Sequence, residues 1–197
     1  MTDSYHYYNT HTKQYVKTTA EVDMSDQYAM FLPHLEPGSS ILDAGCGSGR
    51  DSLAFKQRGY TVQAFDASEA MVEAASALAQ IPVRNLLFQE MDYDRQFDGI
   101  WACASLLHVP KQELNKVFSL LARALKPKGF LYCSFKNREE SFEKDGRVFT
   151  CFTPITMQEF ILKQQEFILI EMKVSTDVRP GREDEGWVNV VLQKREK

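Results

Sequence analysis

The sequence lacks an excess of positive charge. Its 23 Lys and Arg residues face 27 Asp and Glu, a formal net charge of −4. A broad nucleic-acid-binding face needs clustered Lys and Arg and is therefore not expected, although the balance leaves room for a local basic pocket. Any apolar run of membrane-spanning length is also missing, so no membrane partner is expected. The opening residues, Met-Thr-Asp-Ser-Tyr-His-Tyr-Tyr, carry no cationic run followed by an apolar one. No signal peptide is expected from them, and a cytoplasmic protein follows. Cysteine is sparse: Cys46, Cys103, Cys133 and Cys151 are widely spaced, without a C-x-x-C pair or a neighbouring His cluster. No metal site is expected. The thiols read as reduced and buried, with Cys46 also positioned to approach a ligand. Repeats, low-complexity tracts and a long linker are absent too. The 197 residues, 44% of them hydrophobic, suit one domain, 1–197, with a sizeable core.

What is present is concentrated in residues 41–49, Ile-Leu-Asp-Ala-Gly-Cys-Gly-Ser-Gly. An apolar pair ends in Asp43, and Gly45, Gly47 and Gly49 follow at alternate positions. Glycines at this spacing allow positive φ and let a ligand lie against bare backbone. A strand running into such a turn and then a helix makes a crevice at the carboxyl edge of a parallel sheet. About 20 residues on, Thr-Val-Gln-Ala-Phe-Asp ends in Asp66. An acid there takes a ribose diol by hydrogen bonds, or caps the helix that starts near Ser68. A nucleoside cofactor is expected. A dinucleotide fingerprint would read G-x-G-x-x-G; here the third glycine comes one position early and Arg50 takes the last place. No Gly-Lys-Ser/Thr follows to make a P-loop. Asp43, ahead of the first glycine, suits a cationic ligand better than a pyrophosphate.

Apolar periodicity orders the rest. Met24, Tyr28, Phe31, Leu32 and Leu35 predict one or two N-terminal helices, stopped by Pro33 and Pro37-Gly38. Strands are expected at 41–44, 61–65, 83–88, 99–104 and 130–135. Helices are expected at about 48–58, after Ser68 with Met71, Ala75 and Leu78 on one apolar face, and from Pro110 onward through Leu114, Val117, Phe118, Leu121 and Leu125. Thr156 and Glu159 suggest a capping box for a helix to about residue 165. Residues 167–178 and 187–193 read as two strands without a crossover helix, which must pair antiparallel. Alternating strands and helices predict a doubly wound α/β sheet, mostly parallel, with helices on both faces and a reversed last strand in a C-terminal hairpin.

The glycine stretch resembles motif I of class I S-adenosylmethionine (SAM) methyltransferases. The resemblance continues through Asp66, Phe97-Asp98-Gly99-Ile100 and Leu125-Lys126-Pro127-Lys128-Gly129-Phe130, and covers roughly residues 36–136. It implies a seven-stranded Rossmann-like sheet, SAM as cofactor and a SAM-dependent methyltransferase. Gly47-Ser-Gly-Arg-Asp-Ser-Leu53 and Gly59-Tyr-Thr-Val62 are also similar to the tellurite-resistance branch, a likeness that stops before residues 137–197. By resemblance, Asp43, Gly45, Cys46, Gly47 and Gly49 line the methionine half of the cofactor, and Asp66 with Ala67 meets the ribose. Met91 is expected on the adenine ring, Asp92 on its amine, and Cys103 beside the reacting methyl. Arg50 reaches the SAM carboxylate or makes a surface ion pair.

Three specialised acceptor classes lose support at residues 104–110, Ala-Ser-Leu-Leu-His-Val-Pro. No Asn/Asp-Pro-Pro-Tyr, no Pro-Cys and no Mg²⁺-binding acids occur there. A small-molecule acceptor is therefore expected, with monomer or homodimer both open. His108 is the candidate general base, its imidazole matched to neutral pH; a structural role at a helix start is the alternative. The 1–35 segment reads as a helical lid in which Tyr7, Tyr8, His11 and Tyr15 fold over the cofactor or simply pack on the surface. Tyr15 is the second candidate proton acceptor. Arg147, Arg179 and Arg182 either recognise an anionic acceptor or belong to solvated loops neutralised by Glu183, Asp184 and Glu185. Rival functions are a non-catalytic SAM-binding regulator, an RNA or protein methyltransferase, and a nicotinamide-dependent oxidoreductase.

Overall fold

Apolar runs that alternate with amphipathic segments fold here into one mixed sheet covered by helices, in a computed structural model that describes residues 4–196. Two helices lead, α1 (Tyr5–Thr19) and α2 (Ser25–Phe31). Then come β1 (Ser40–Ala44), α3 (Arg50–Gln57), β2 (Thr61–Asp66), α4 (Glu69–Ala79), β3 (Val83–Asn85), β4 (Phe97–Ala102), α5 (Leu114–Ala124) and β5 (Leu125–Lys136). A small hairpin, β6 (Phe142–Lys144) and β7 (Arg147–Phe149), precedes α6 (Pro154–Leu162), β8 (Phe167–Thr176) and β9 (Gly186–Lys194). The main sheet runs β3-β2-β1-β4-β5-β9-β8. β1 pairs in parallel with β2 and with β4, β2 with β3, and β4 with β5, whereas β9 runs antiparallel to both β5 and β8. The strand order reverses between β1 and β4, the point at which such sheets open a crevice beyond their carboxyl ends.

Side chains alternate across the strands and sort the core into two faces. Leu42, Ile100, Leu131 and Val190 pack with Val117, Phe118 and Leu121 of α5 on one face. Each such fully buried side chain contributes roughly 1.5–3 kcal/mol of transfer free energy. Ile41, Trp101, Tyr132 and Val191 pack on the other face with Met24, Tyr28, Phe31 and Phe55. Trp101 stacks flat on Tyr132 at 4.0 Å between ring centroids.

Several local expectations are corrected. β3 is only three residues, because Leu86 onward turns into a short 3-10 turn at Phe88–Glu90. On α4 the buried positions are Met71, Ala75 and Ala79, and Leu78 is exposed. Ser68 does cap that helix, accepting from the Met71 N–H at 3.2 Å. Pro110 leads not into α5 but into a 3-10 turn at Lys111–Glu113. The α6 box sits three residues earlier than expected. Thr153 accepts from the Thr156 N–H, and the Thr156 hydroxyl accepts from the Thr153 N–H, because Pro154 is favoured at the first helical position. Pro127 and Gly129 make a bulge inside β5 rather than a gap before it, with Lys128 at φ +64°. The stretch 136–152, read from sequence as a charged loop, contains the β6–β7 hairpin. Its turn is Asp145-Gly146, both at positive φ, the type I′ signature.

Candidate functional site

Backbone geometry builds the first wall of the site. Gly45, Gly47 and Gly49 have φ of +74°, +54° and +82°, so the β1–α3 connection turns tightly. The three glycines have different duties. A Cβ on Gly45 would lie 2.5 Å from the Ser105 Cβ, and one on Gly49 would lie 2.8 Å from the Ala75 Cα. Both are demanded by packing as well as by φ. Gly47 faces outward, with the Tyr15 ring 3.5 Å from where its Cβ would be. The Asp66 carboxylate accepts from the Gly47 N–H and from the Ser68 N–H, each at 2.9 Å. It therefore ties the glycine loop to the end of β2 while also serving the start of α4. Burial raises its pKa, against the pull of those N–H groups.

Asp43 shares the face of Ile41, two residues earlier, and so points under α3 rather than into open space. Ser52 donates to it at 2.6 Å. Burial, helped by the charge of Asp51, pushes its carboxyl well above the usual carboxylate range. Asp51 is the acid that faces the cleft, and sequence reasoning missed it. It receives Arg50 through Nε and Nη2 at 2.7 and 2.8 Å, the Tyr28 hydroxyl at 2.6 Å and the Trp101 indole N–H at 2.8 Å. Burial alone would raise its pKa; the Arg50 charge and these donors outweigh that and hold it below the ordinary value. Arg50 is thus neither free nor a surface pair. It also donates to the Thr19 carbonyl at 3.2 Å, joining α3 to the end of α1.

A cavity of about 1070 Å³ opens at the carboxyl ends of β1 and β4. Gly45, Cys46, Gly47, Arg50 and Asp51 form its floor, with Cys103 and Ala104 beside them. Tyr7, Tyr8, His11 and Tyr15 of α1 form one side, and His108, Arg147 and Phe149 another. Lys136, Asp177 and Arg179 close the far end. The Cys103 thiol is pushed up to about 12 by burial and by Asp51, and burial raises Cys46 as well; both stay protonated at neutral pH.

His108 is locked in one tautomer. Its Nδ1 lies 2.7 Å from the Val148 carbonyl, which can only accept, so Nδ1 carries the hydrogen. Its Nε2 then accepts from the Tyr8 hydroxyl at 2.7 Å. Burial lowers its pKa to about 4; the Val148 bond opposes this and the Arg147 charge adds to it. The ring is neutral at pH 7, and its lone pair is engaged by Tyr8. Burial, together with Tyr15, raises the Tyr8 hydroxyl well above the ordinary phenol value. Sequence reasoning placed Tyr8 in the lid cluster but did not join it to His108, 100 residues away.

The structure does not bring every named residue to the cavity. Asp43, Gly49 and Asp66 stand behind its floor. The Ala67 carbonyl accepts from Asn85 at 3.0 Å outside it. Met91 is buried in the main core, where its carbonyl accepts from Arg123. Asp92 is 70% exposed and paired with Arg84 at 2.9 Å. Neither reaches the cavity, because the short β3 ends at Asn85 and a 3-10 turn intervenes. Across the chain, Lys136 donates to Asp177 at 3.2 Å and to Glu185, and Arg179 forks onto Asp177 at 2.8 and 2.5 Å. These partners are 40 residues or more from Lys136, and no sequence pattern marks them.

Fold and cleft together define a Rossmann-like domain with a cavity beside its first glycine loop. Residues 41–129 match the family model described as "Methyltransferase domain". Over 127 residues the chain is 32% identical to the putative methyltransferase YqeM of Bacillus subtilis (strain 168), covering 58% of this chain and 51% of that protein. It is 29% identical over 123 residues to 24-methylenesterol C-methyltransferase 2 of Arabidopsis thaliana, covering 57% and 33%. The chain thus spans between a third and about half of these relatives' lengths. Among solved structures, Burkholderia thailandensis 1,6-didemethyltoxoflavin-N1-methyltransferase, with that compound and S-adenosylhomocysteine bound, superimposes with a TM-score of 0.78 at 19% identity. That match covers 96% of this chain and 84% of the other. These matches place residues 41–129 with methyltransferase domains in sequence, and the chain as a whole with that structure in fold.

Proposed function

We propose that this chain binds SAM along the glycine loop and transfers its methyl group to a small-molecule acceptor. The observation that carries the reading is the buried Arg50–Asp51 pair on the cavity floor beside Gly47. The residues fit the group: a guanidinium and a carboxylate side by side complement an amino-acid zwitterion, Arg50 toward its carboxylate and Asp51 toward its ammonium. Gly47 leaves backbone bare for close approach, and Asp66 fixes that loop from behind through the Gly47 N–H. When bound, the cofactor supplies a sulfonium methyl that a nucleophile takes by in-line displacement.

The chain's own contribution is alignment and exclusion of water. Holding two reactants in an attack geometry is worth up to roughly 7–11 kcal/mol. In this reading α1 is a lid within residues 1–35: the Asn9 Oδ1 accepts from the Ser68 hydroxyl at 2.6 Å, Tyr15 stands over Gly47, and Tyr8 reaches His108. His108 has no unengaged nitrogen and a pKa of about 4. That favours an acceptor already nucleophilic, such as a thiolate or carboxylate, over one needing deprotonation. Should a base be required, His108 acts through the Tyr8 hydroxyl it holds, with Tyr15 next. Calorimetry with SAM, S-adenosylhomocysteine and NAD tests the cofactor, and isotope-labelled SAM with metabolite extracts tests transfer. Tight NAD binding without SAM binding would overturn the reading. Binding without transfer to any extract would leave a SAM-binding regulator in its place.

A further inference from the structure

The cations around the cavity differ in how their charge is met. Arg50 forks onto Asp51, Lys136 meets Asp177 and Glu185, Arg179 meets Asp177, and Arg182 lies 3.5 Å from Glu185. Arg147 is different. Its side chain is 14% exposed, and its one ion pair among the described residues is a 3.2 Å contact through Nη2 with Asp145, itself 53% exposed. Its Nε is buried with no hydrogen-bond partner among the described residues. A buried donor left unpaired costs about 1–3 kcal/mol, more when charged, and such groups call for a specific explanation.

The surroundings hold this guanidinium in one place. Its carbon lies 3.6 Å from the Tyr7 ring centroid, 5.1 Å from Phe149 and 5.8 Å from Tyr8. The β7 strand that carries it is pinned by Ser4, whose hydroxyl accepts from the Val148 N–H at 3.1 Å, and by the His108 bond to Val148. Two more cations of the same hairpin region, Arg138 and Lys144, line the cavity, while Asp145 does not. This corner of the cavity is cationic and aromatic-walled.

We propose that Arg147 anchors a carboxylate of the methyl acceptor. The edge of a guanidinium formed by Nε and one Nη presents two parallel N–H donors, a match for the two oxygens of a carboxylate. Nε is unpaired and Nη2 uses one of its two hydrogens on the half-exposed Asp145, so a carboxylate takes this edge in place of, or alongside, the Asp145 contact. The acceptor is accordingly a small carboxylic acid, held by its anionic end at β7 so that its nucleophile faces the cavity floor. The inference rests on the methyl-transfer reading for its role, but the binding it asserts is separable.

Three acids (benzoate, 3-phenylpropionate and glutarate), their amides and inorganic phosphate are titrated into the full chain by calorimetry, with and without S-adenosylhomocysteine. At least one acid binds, and at least tenfold more tightly than its amide. Arg147→Gln abolishes that difference, whereas Lys163→Gln, just past the end of the distant α6, preserves it. Equal binding of acid and amide by the unmodified protein, or no binding by any acid, overturns the assignment whatever the variant does. Phosphate binding more tightly than every acid, and lost in Arg147→Gln, overturns the carboxylate class. Failure of S-adenosylhomocysteine to bind sinks the methyl-transfer reading instead, and the acid titration without it still decides the role of Arg147.

Discussion

The two halves of the cleft are built in opposite ways. The half proposed for the cofactor comes from one unbroken stretch, residues 41–51, backed by Asp66, and its shape is set by backbone: three positive-φ glycines and the Asp66–Gly47 bond. The half proposed for the acceptor is assembled from α1, the turn at His108, the β6–β7 hairpin and the β8–β9 loop, joined by side-chain contacts such as Tyr8–His108 and Lys136–Asp177. A wall made of local backbone tolerates little change but requires few partners. A wall made of distant side chains is free to vary in specificity and exposes its weakest link at each contact. Substitutions on the two sides should therefore fail differently.

The largest expected effect is on the cofactor side. Asp51→Ala leaves the Arg50 charge, the Tyr28 hydroxyl and the Trp101 N–H without their shared acceptor. Removing one partner of a buried pair costs about 3–5 kcal/mol, to be read by urea unfolding at pH 7. A loss below about 1 kcal/mol would show that the network is not closed as described.

Next comes an acceptor-side effect that depends on pH. The His108 pKa is depressed to about 4 by burial, against about 6.5 for an unfolded histidine. Between those values the unfolded chain binds a proton that the folded one refuses, so this residue's contribution to stability falls as pH drops through the window. From pH 7 to pH 4 the unmodified protein should lose on the order of 3 kcal/mol more than His108→Gln. Parallel stability curves for the two proteins would mean that His108 is solvated. Asp43 has the opposite sign: its raised pKa makes the folded state the better proton binder above the ordinary carboxylate range, so its contribution falls as pH rises.

Asp66→Ala addresses the join between the halves of the cofactor site. It removes charge-assisted hydrogen bonds worth roughly 1.5–3 kcal/mol, and S-adenosylhomocysteine affinity should fall at least about tenfold while the sheet stays folded. An unchanged dissociation constant would confine Asp66 to holding Gly47 and Ser68.

The same contrast explains what was legible beforehand. The order of strands and helices, the reversed C-terminal hairpin and the glycine loop were readable because each depends on periodicity or on φ, both local. Even there, Gly45 and Gly49 owe their identity partly to Ser105 and Ala75, which no spacing reveals. Asp51 was hidden because its partners, Tyr28 and Trp101, are 23 and 50 residues away. The adenine expectation at Met91 and Asp92 presumed a longer β3; the strand stops at Asn85, and the turn after it sends Met91 into the core and Asp92 to solvent. The Asp145-Gly146 turn did carry a local hairpin signal, masked by the charged residues around it.

That turn supplies the sharpest test of the comparison, with the smallest effect. Gly146 has φ +72°, and a Cβ there meets nothing within 4 Å, so Gly146→Ala adds strain without a clash. Holding a residue with a Cβ in this left-handed region costs about 1–2 kcal/mol, which falls on the short β6–β7 pairing rather than on the main sheet. Arg147 follows the turn directly, and its fixed position depends on that pairing. Faster amide exchange confined to residues 142–149 is expected, with S-adenosylhomocysteine affinity unchanged. Binding of a carboxylate at Arg147 should weaken severalfold. If cofactor affinity fell in step, the two halves would form one cooperative unit, and the division between a local and an assembled wall would not hold.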